Sequence, residues 1–224
     1  MKVSLRIEQL SAMVCKPYTH VWDCCCDHGF LGQLLLEREQ AGCVHFVDVV
    51  PALMQQLEVR LEQDYSRHSW LVHCLDVAQL PLDKYTDDQA PQLIMIAGVG
   101  GDLLVDLVTA IRQAHPGLPL EFLLCPVYHN YKVRRALAGL SLGLVNECLL
   151  EDKQRFYEIL HVSTESAEPV SAVGDRMWDF SSAVHQSYLL QTISHYQRMS
   201  GNPRQDVSAE LTAYQGLLPD FVCS

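Results

Sequence analysis

Two spacings of apolar residues alternate along this chain. Short β-prone runs are followed by stretches in which apolar residues recur every three to four positions, so strands are followed by amphipathic helices. The opening "MKVSLRIEQLSAMV" has the helical spacing. Then come a strand near 19–24, a helix near 30–41, a strand at "CVHFVDV" (43–49), a helix at 51–65 and a strand at "WLVHC" (70–74). After a loop rich in Asp and Pro follow a strand at "QLIMIAG" (92–98), a helix from about 102 to 115 closed by "HPG", a strand at "LEFLLC" (120–125) and a helix at "YKVRRALAGL" (131–140). Two further strands are expected near 143–150 and 154–163.

Such alternation implies an α/β fold whose sheet is mainly parallel and covered on both faces. The last two strands are joined by "LEDKQRF", too short for a crossover helix, and should form an antiparallel hairpin. The stretch 164–176 is a polar connector containing Pro and Gly. Beyond it, "WDFSSAVHQSYLLQTISHYQRM" and "RQDVSAELTAYQGLL" are helical patterns separated by "SGNP", which predicts a helical hairpin. The expected organisation is an α/β domain over 1–165 and a small helical domain over 166–224.

Composition narrows the class. The 224 residues carry a formal net charge of −11, which argues against nucleic-acid binding by bulk electrostatics, though not against a local basic patch. Nine cysteines without framework spacing fit a reducing cytoplasm better than a secreted disulfide scaffold. The first residues lack the apolar core and cleavage site of a signal peptide, and no apolar run approaches the roughly 18–20 residues of a membrane-spanning helix.

In an open parallel sheet, ligands bind beyond the carboxyl ends of the strands. Here those ends carry "DCCCDHGFLG" (23–32), then Asp48, then Asp76, then Gly98–Gly101. Asp48 lies 25 residues beyond Asp23, where a carboxylate can accept hydrogen bonds from ribose hydroxyls, and Asp76 is placed to receive an adenine amine. Each acid taken singly could be only a helix cap; three after successive strands point to a nucleotide. G-x-G-x-x-G and G-x-x-x-x-G-K-[ST] are both absent. An acidic first loop disfavours a pyrophosphate and suits a ligand bearing an amino group and a sulfonium, as S-adenosylmethionine does. With the terminal hairpin, the expected fold is a Rossmann-like class I SAM-dependent methyltransferase sheet.

The residues also carry a family resemblance. "DCCCDHGFLG", "IAGVGGDLL" (96–104), Pro126 with the later "VRRAL", "EDKQRFYEIL" (151–160) and the opening "SLRIEQLSAMV" together resemble the bacterial tRNA adenine-N1 methyltransferase family. The matching family stretches read D-I-G-S-D-H-A-Y-L-P, I-A-G-M-G-G, Q-P-N and E-D-G-K-x-Y-E-I, with an S-x-R-L opening helix and a C-terminal coiled-coil-like domain. The resemblance implies a tRNA methyltransferase with Asp27, His28, Phe30 and Pro126 around the acceptor base. It also implies cofactor contacts from Asp23, Cys25, Asp48, Val49, Asp76, Val77, Ala97, Gly98, Gly100 and Gly101. Asp27 could accept the N6 proton that becomes acidic as adenine N1 gains charge. His28 can instead be read as a satisfied structural histidine. Cys24, Cys25 and Cys26 stand where that family has Ile, Gly and Ser, Phe30 where it has Tyr, and Cys125 and Val127 where it has Gln and Asn. The cysteines are expected to be small, semi-buried residues, and no metal is expected, since adjacent cysteines with no C-x-x-C partner make a poor zinc site.

Basic residues gather at Lys132, Arg134 and Arg135 and at Lys153 and Arg155, a candidate patch for tRNA phosphates. The segment after residue 166 has three Arg, no Lys and six acids, so Trp178, Phe180, Tyr188, Leu189, Leu190, Ile193 and Tyr196 are expected to pack rather than stack on bases. Two other readings stay open: a cofactor-binding module of the same fold without catalysis, and a small-molecule methyltransferase.

Overall fold

In the computed structural model, which describes residues 3–86, 90–202 and 206–218, one seven-stranded sheet runs through the molecule. Its strands are β1 (Tyr18–Cys24), β2 (Ala41–Asp48), β3 (Trp70–Cys74), β4 (Gln92–Ala97), β5 (Leu120–Cys125), β6 (Gly143–Asp152) and β7 (Arg155–Ser163), in the spatial order β3-β2-β1-β4-β5-β7-β6. The first five are parallel; β7 is antiparallel to both β5 and β6, as the short connection requires. Lys153 and Gln154 turn this hairpin with φ of 52° and 63°, the left-handed pair that a tight hairpin with right-handed twist uses. Strand order reverses between β1 and β4, and a crevice opens above that switch point.

The helices are α1 (Leu5–Met13), α2 (Phe30–Glu37), α3 (Pro51–Asp64), α4 (Gly101–Ala114), α5 (Asn130–Gly139), α6 (Ala183–Ser200) and α7 (Ser208–Gln215). Two of their starts follow from the sequence locally. The Ser4 hydroxyl accepts the Ile7 N–H to cap α1 (3.4 Å), and Pro51 supplies a fixed φ at the first turn of α3. On one sheet face Trp22, Ile94, Phe122 and Leu124 pack against Leu104, Val108 and Ile111 of α4 and Val133 and Leu137 of α5. On the other, Val44, Phe46 and Met95 pack against Leu10 of α1, Leu35 of α2 and Leu57 and Leu61 of α3. A third apolar cluster joins Val173, Leu189, Ile193 and Tyr214, with Trp178 and Phe180 beside it.

Departures from the expected elements are local. The loop after β3 contains two 3-10 turns, Val77–Gln79 and Leu82–Lys84, pinned by burial of Val77, Leu80 and Leu82. Helix α2 stops at Glu37 because Glu39 turns left-handed (φ 54°) to feed β2. Helix α6 starts five residues after Trp178, since Asp179 accepts the Ser181 N–H and hydroxyl in a turn of its own. Arg204, where the last helix was expected to begin, lies outside the described residues.

Candidate active site

The crevice is built on the loop after β1. Asp23 is buried, and its Oδ2 accepts the Gly32 N–H at 2.9 Å. Burial pushes its carboxyl up to about 7; the Gly32 bond opposes that rise and the nearby Asp48 charge adds to it. The chain then passes through left-handed positions at Cys25 (φ 53°), Asp27 (φ 49°) and Gly29 (φ 68°) before entering α2. Asp48 holds the loop in place: one oxygen accepts the Asp27 N–H (3.2 Å), the other the Val50 N–H (3.1 Å). Gly32 is dictated by packing, because a Cβ there would lie 2.4 Å from the Phe46 ring. Burial raises the thiols of Cys24, Cys25 and Cys26, Cys25 to about 11, so they stay protonated as small half-apolar side chains.

A cavity of about 220 Å³ lies between this loop, α1 and the end of β4, lined by Arg6, Asp23, Cys24, Cys25, Cys26, Asp27, His28, Phe30, Ala97 and Gly98. It brings together the expected acceptor residues Asp27, His28 and Phe30 with the expected cofactor residues Asp23, Cys25, Ala97 and Gly98. Asp27 Oδ1 and His28 Nε2 are 3.7 Å apart and both side chains face solvent. The His28 ring leans on Phe30, centroids 5.6 Å apart, while its backbone oxygen accepts from Gln33 and Arg60, so the main chain is fixed and the imidazole free to meet a ligand.

The other expected residues do not line this cavity. Val49 is exposed just past Asp48. Asp76 is exposed, and one of its oxygens caps the first 3-10 turn through the Ala78 N–H (2.9 Å). The Val77 side chain belongs to the core, leaving only its backbone for a ligand. Gly98 needs its left-handed φ of 83°, but Gly100 and Gly101 have a packing reason: a Cβ would lie 2.3 Å from the Tyr128 Oη or 2.5 Å from the Tyr128 carbonyl oxygen. Pro126 is buried at the end of β5, and Val127 beyond it is exposed.

Two residues escaped the sequence reading. Arg6 of α1 enters the cavity, its Nη2 within 3.7 Å of where a Gly98 Cβ would stand, and its guanidinium lies 5.0 Å from the centroid of the Tyr157 ring. Its signal was the arginine of the S-x-R-L opening, which marks a functional side chain as well as a helix. Tyr128 is half-exposed, and its hydroxyl lies over Gly100 at the start of α4. Nothing in "CPVYHN" distinguishes it from a surface tyrosine.

The basic patch divides. Lys132, Arg135, Lys153 and Arg155 are exposed. Arg134 is not: it is wholly buried, donating to Glu158 (Nε, 2.6 Å), to Glu147 (Nη1, 2.6 Å) and to the Ser171 carbonyl (3.2 Å). The expectation that Arg134 holds a phosphate is corrected accordingly, since its charge is already spent on two carboxylates. Of the aromatic and aliphatic residues expected to pack in the C-terminal helices, Leu190 is the exception, 52% exposed on the outer face of α6.

Residues 3–160 match the family described as methyltransferase domain. No curated protein matches the chain. Among solved structures, a Streptococcus pneumoniae protein provisionally assigned as a tRNA (m1A22) methyltransferase, in complex with S-adenosyl-L-methionine, is similar with TM-score 0.77 at 21% identity, covering 97% of this chain and 100% of that one. The B. subtilis m1A22 tRNA methyltransferase TrmK is similar with TM-score 0.72 at 18% identity, over 97% and 99% of the two chains. M. capricolum TrmK in complex with S-adenosyl-homocysteine follows with TM-score 0.72 at 12% identity, over 96% and 94%. At these identities the likenesses establish a shared fold.

Proposed function

The chain belongs to the methyltransferase-domain family, and on that premise we propose that it methylates N1 of an adenine in tRNA, using S-adenosyl-L-methionine. One observation carries the reading: the Asp27–His28–Phe30 loop and the Asp23, Ala97 and Gly98 cofactor positions line a single cavity at the switch point of the sheet. The same set occupies the resembling motifs, and the S. pneumoniae and M. capricolum structures of this fold hold S-adenosyl-L-methionine and S-adenosyl-homocysteine.

The donor set suits that cofactor. Asp23 is a buried carboxyl whose ionised form is held back by desolvation, so it gains from a cationic neighbour. Asp48 and Asp76 keep lone pairs for ribose hydroxyls and an adenine amine beyond the amides they already bind. The Arg6 guanidinium, beside the open face of Gly98, is placed for the carboxylate of the methionine moiety. When bound, the cofactor supplies a methyl group on a sulfonium centre. The protein's task is then orientation, because a ring nitrogen lone pair needs alignment more than activation. Phe30 offers the acceptor base a stacking face, and Asp27 accepts the N6 proton as N1 takes on positive charge. No metal is asked for at this step.

In this reading residues 1–165 carry out the transfer and the segment from 166 helps seat the RNA. Free cysteines suit a cytoplasmic setting, and among the described residues no helix is long and apolar enough to cross a membrane. The test is incubation with labelled S-adenosyl-L-methionine and unmodified bulk tRNA, followed by nucleoside analysis. Label in 1-methyladenosine is the expected result. Cofactor binding without transfer to any tRNA would leave a binding module in place of the enzyme.

A further inference from the structure

On the β1–β2–β3 side of the sheet, apart from the lining of the crevice, lies a row of metal-ligating side chains. Strands β1 and β2 run in parallel with His20 opposite Cys43 and Trp22 opposite His45, and alternate residues share a face. The ligand atoms of His20, Cys43 and His45 consequently all lie within 4.8 Å of one another. His45 is fully buried, stacked on Trp22 with ring centroids 3.9 Å apart, and Tyr85 meets it edge-on. Its Nε2 lies 3.0 Å from His20 Nδ1, and its Nδ1 lies 3.0 Å from Nε2 of His73 on β3.

We propose that His20, Cys43 and His45 bind a divalent late first-row transition-metal ion, of which Zn²⁺ is the natural probe. Two imidazoles and a thiol are the donors such ions prefer, and the absence of carboxylate from the set disfavours Ca²⁺ and Mg²⁺. His73 is the positioning residue: by accepting the Nδ1–H of His45 it fixes the tautomer that leaves the Nε2 lone pair directed at His20 and Cys43. Binding displaces the Cys43 thiol proton to solvent, and because His20 and Cys43 are only half-buried, water can fill the remaining position. The ion lies on the strands ahead of the cofactor end, so it fastens β1 to β2 and takes no part in methyl transfer. Reading along the chain for C-x-x-C spacing misses the set, since its donors are joined by strand register.

Full-length protein stripped with a chelator and then titrated with Zn²⁺ against a chromophoric competitor tests the site. One equivalent should bind and raise the melting temperature, and His20→Ala and Cys43→Ser should each weaken binding by about tenfold or more. Co²⁺ should give thiolate charge-transfer absorption that Cys43→Ser abolishes, and should quench Trp22 fluorescence in the parent but not in His20→Ala. His45 is left in place because a buried aromatic substitution risks the fold. No stoichiometric binding would overturn the proposal. So would binding that both variants leave unchanged, the result that capture by Cys24–Cys26 would give, and His20, His45 and His73 would then be a hydrogen-bonded row beside a half-buried thiol and nothing more.

Discussion

At Asp23 the protein holds a carboxyl in a place that opposes its charge. Its pKa in the folded chain is about 7 against an ordinary 3.8, so between those values the folded state keeps a proton that the unfolded state has released. Stability from this group is therefore full below pH 3.8 and eroded as pH rises towards 7, by up to about 1.4 kcal/mol per pH unit. Asp23→Asn retains an acceptor for the Gly32 N–H and removes the ionisation. Thermal melts should show the variant gaining on the parent as pH rises through that window, while calorimetry shows weaker binding of S-adenosyl-L-methionine. Melting curves that run parallel across the window would mean that Asp23 is not held neutral. The sequence showed this aspartate and its neighbours, but not their environment. It could not show that Cys25, where the resembling family has glycine, adopts a left-handed φ of 53°, because a backbone angle is invisible in a letter code. Nor could it show Arg6 crossing from α1 to Gly98, a contact that only tertiary packing creates. Phe30 was legible as a departure from tyrosine; it lines the cavity beside Asp27, and Phe30→Tyr should raise the rate of transfer in the labelled-tRNA assay. An unchanged rate would place the restored hydroxyl away from the base.

Elements are where periodicity served best and where it also misled. Every expected strand and the terminal hairpin formed within a few residues, because each is a short β-prone run too brief and too poor in helical spacing to read as a helix. In "KVRRAL", however, neighbouring arginines sit about 100° apart on a helix, so one faced solvent while the other turned inward. Arg134 ties α5 to β6 and β7 through Glu147 and Glu158, and Glu158 in turn accepts the Tyr188 hydroxyl of α6. Arg134→Ala strands two buried carboxylates and should cost about 3–5 kcal/mol in denaturant unfolding, against less than about 0.5 for the exposed Arg135→Ala. Equal midpoints for the two variants would remove the network from the fold's support. A second buried knot joins other elements: Glu121 of β5 accepts from Lys16, from Tyr18 of β1 and from His161 of β7, at 2.6–2.7 Å. Burial alone would raise the Glu121 carboxyl, but bonds from His161, Lys16 and Tyr18 outweigh it and bring it down to about 2 from an ordinary 4.5. That stability is present above pH 4.5 and disappears as pH falls towards 2, so Glu121→Gln should flatten the acid limb of a pH-stability curve. An acid limb identical to the parent's would place the acid sensitivity elsewhere.

On the scale of the whole molecule, a net charge of −11 must be reconciled with the polyanionic substrate proposed above. The charges are not spread evenly. Lys132 and Arg135 on α5 and Lys153 and Arg155 at the β6–β7 turn are exposed, and Lys132 is partly neutralised by Asp102. A cavity of about 550 Å³ beside α6 is bordered by Val127, Tyr128, Arg155, Phe156, Tyr188 and His195, and the Tyr128 hydroxyl reaches over Gly100 at the start of α4. An RNA strand entering from the hairpin would meet cations first and aromatic rings next, the order in which phosphate contacts hold a strand and ring faces receive a base turned out of its stack. Local positive charge then acts over roughly one Debye length, about 8 Å at physiological salt, while the distant acids of the rest of the surface are screened. If that is how tRNA is held, Arg135→Ala combined with Arg155→Ala should weaken tRNA binding across all sequences alike. It should also flatten the plot of log affinity against log salt by roughly 0.7–0.9 per lost phosphate contact. Affinity for S-adenosyl-L-methionine and the unfolding midpoint should stay at the parent's values, since neither side chain lines the candidate cofactor cavity. A salt slope equal to the parent's would move the RNA to another face and leave this cavity without a nucleic-acid role.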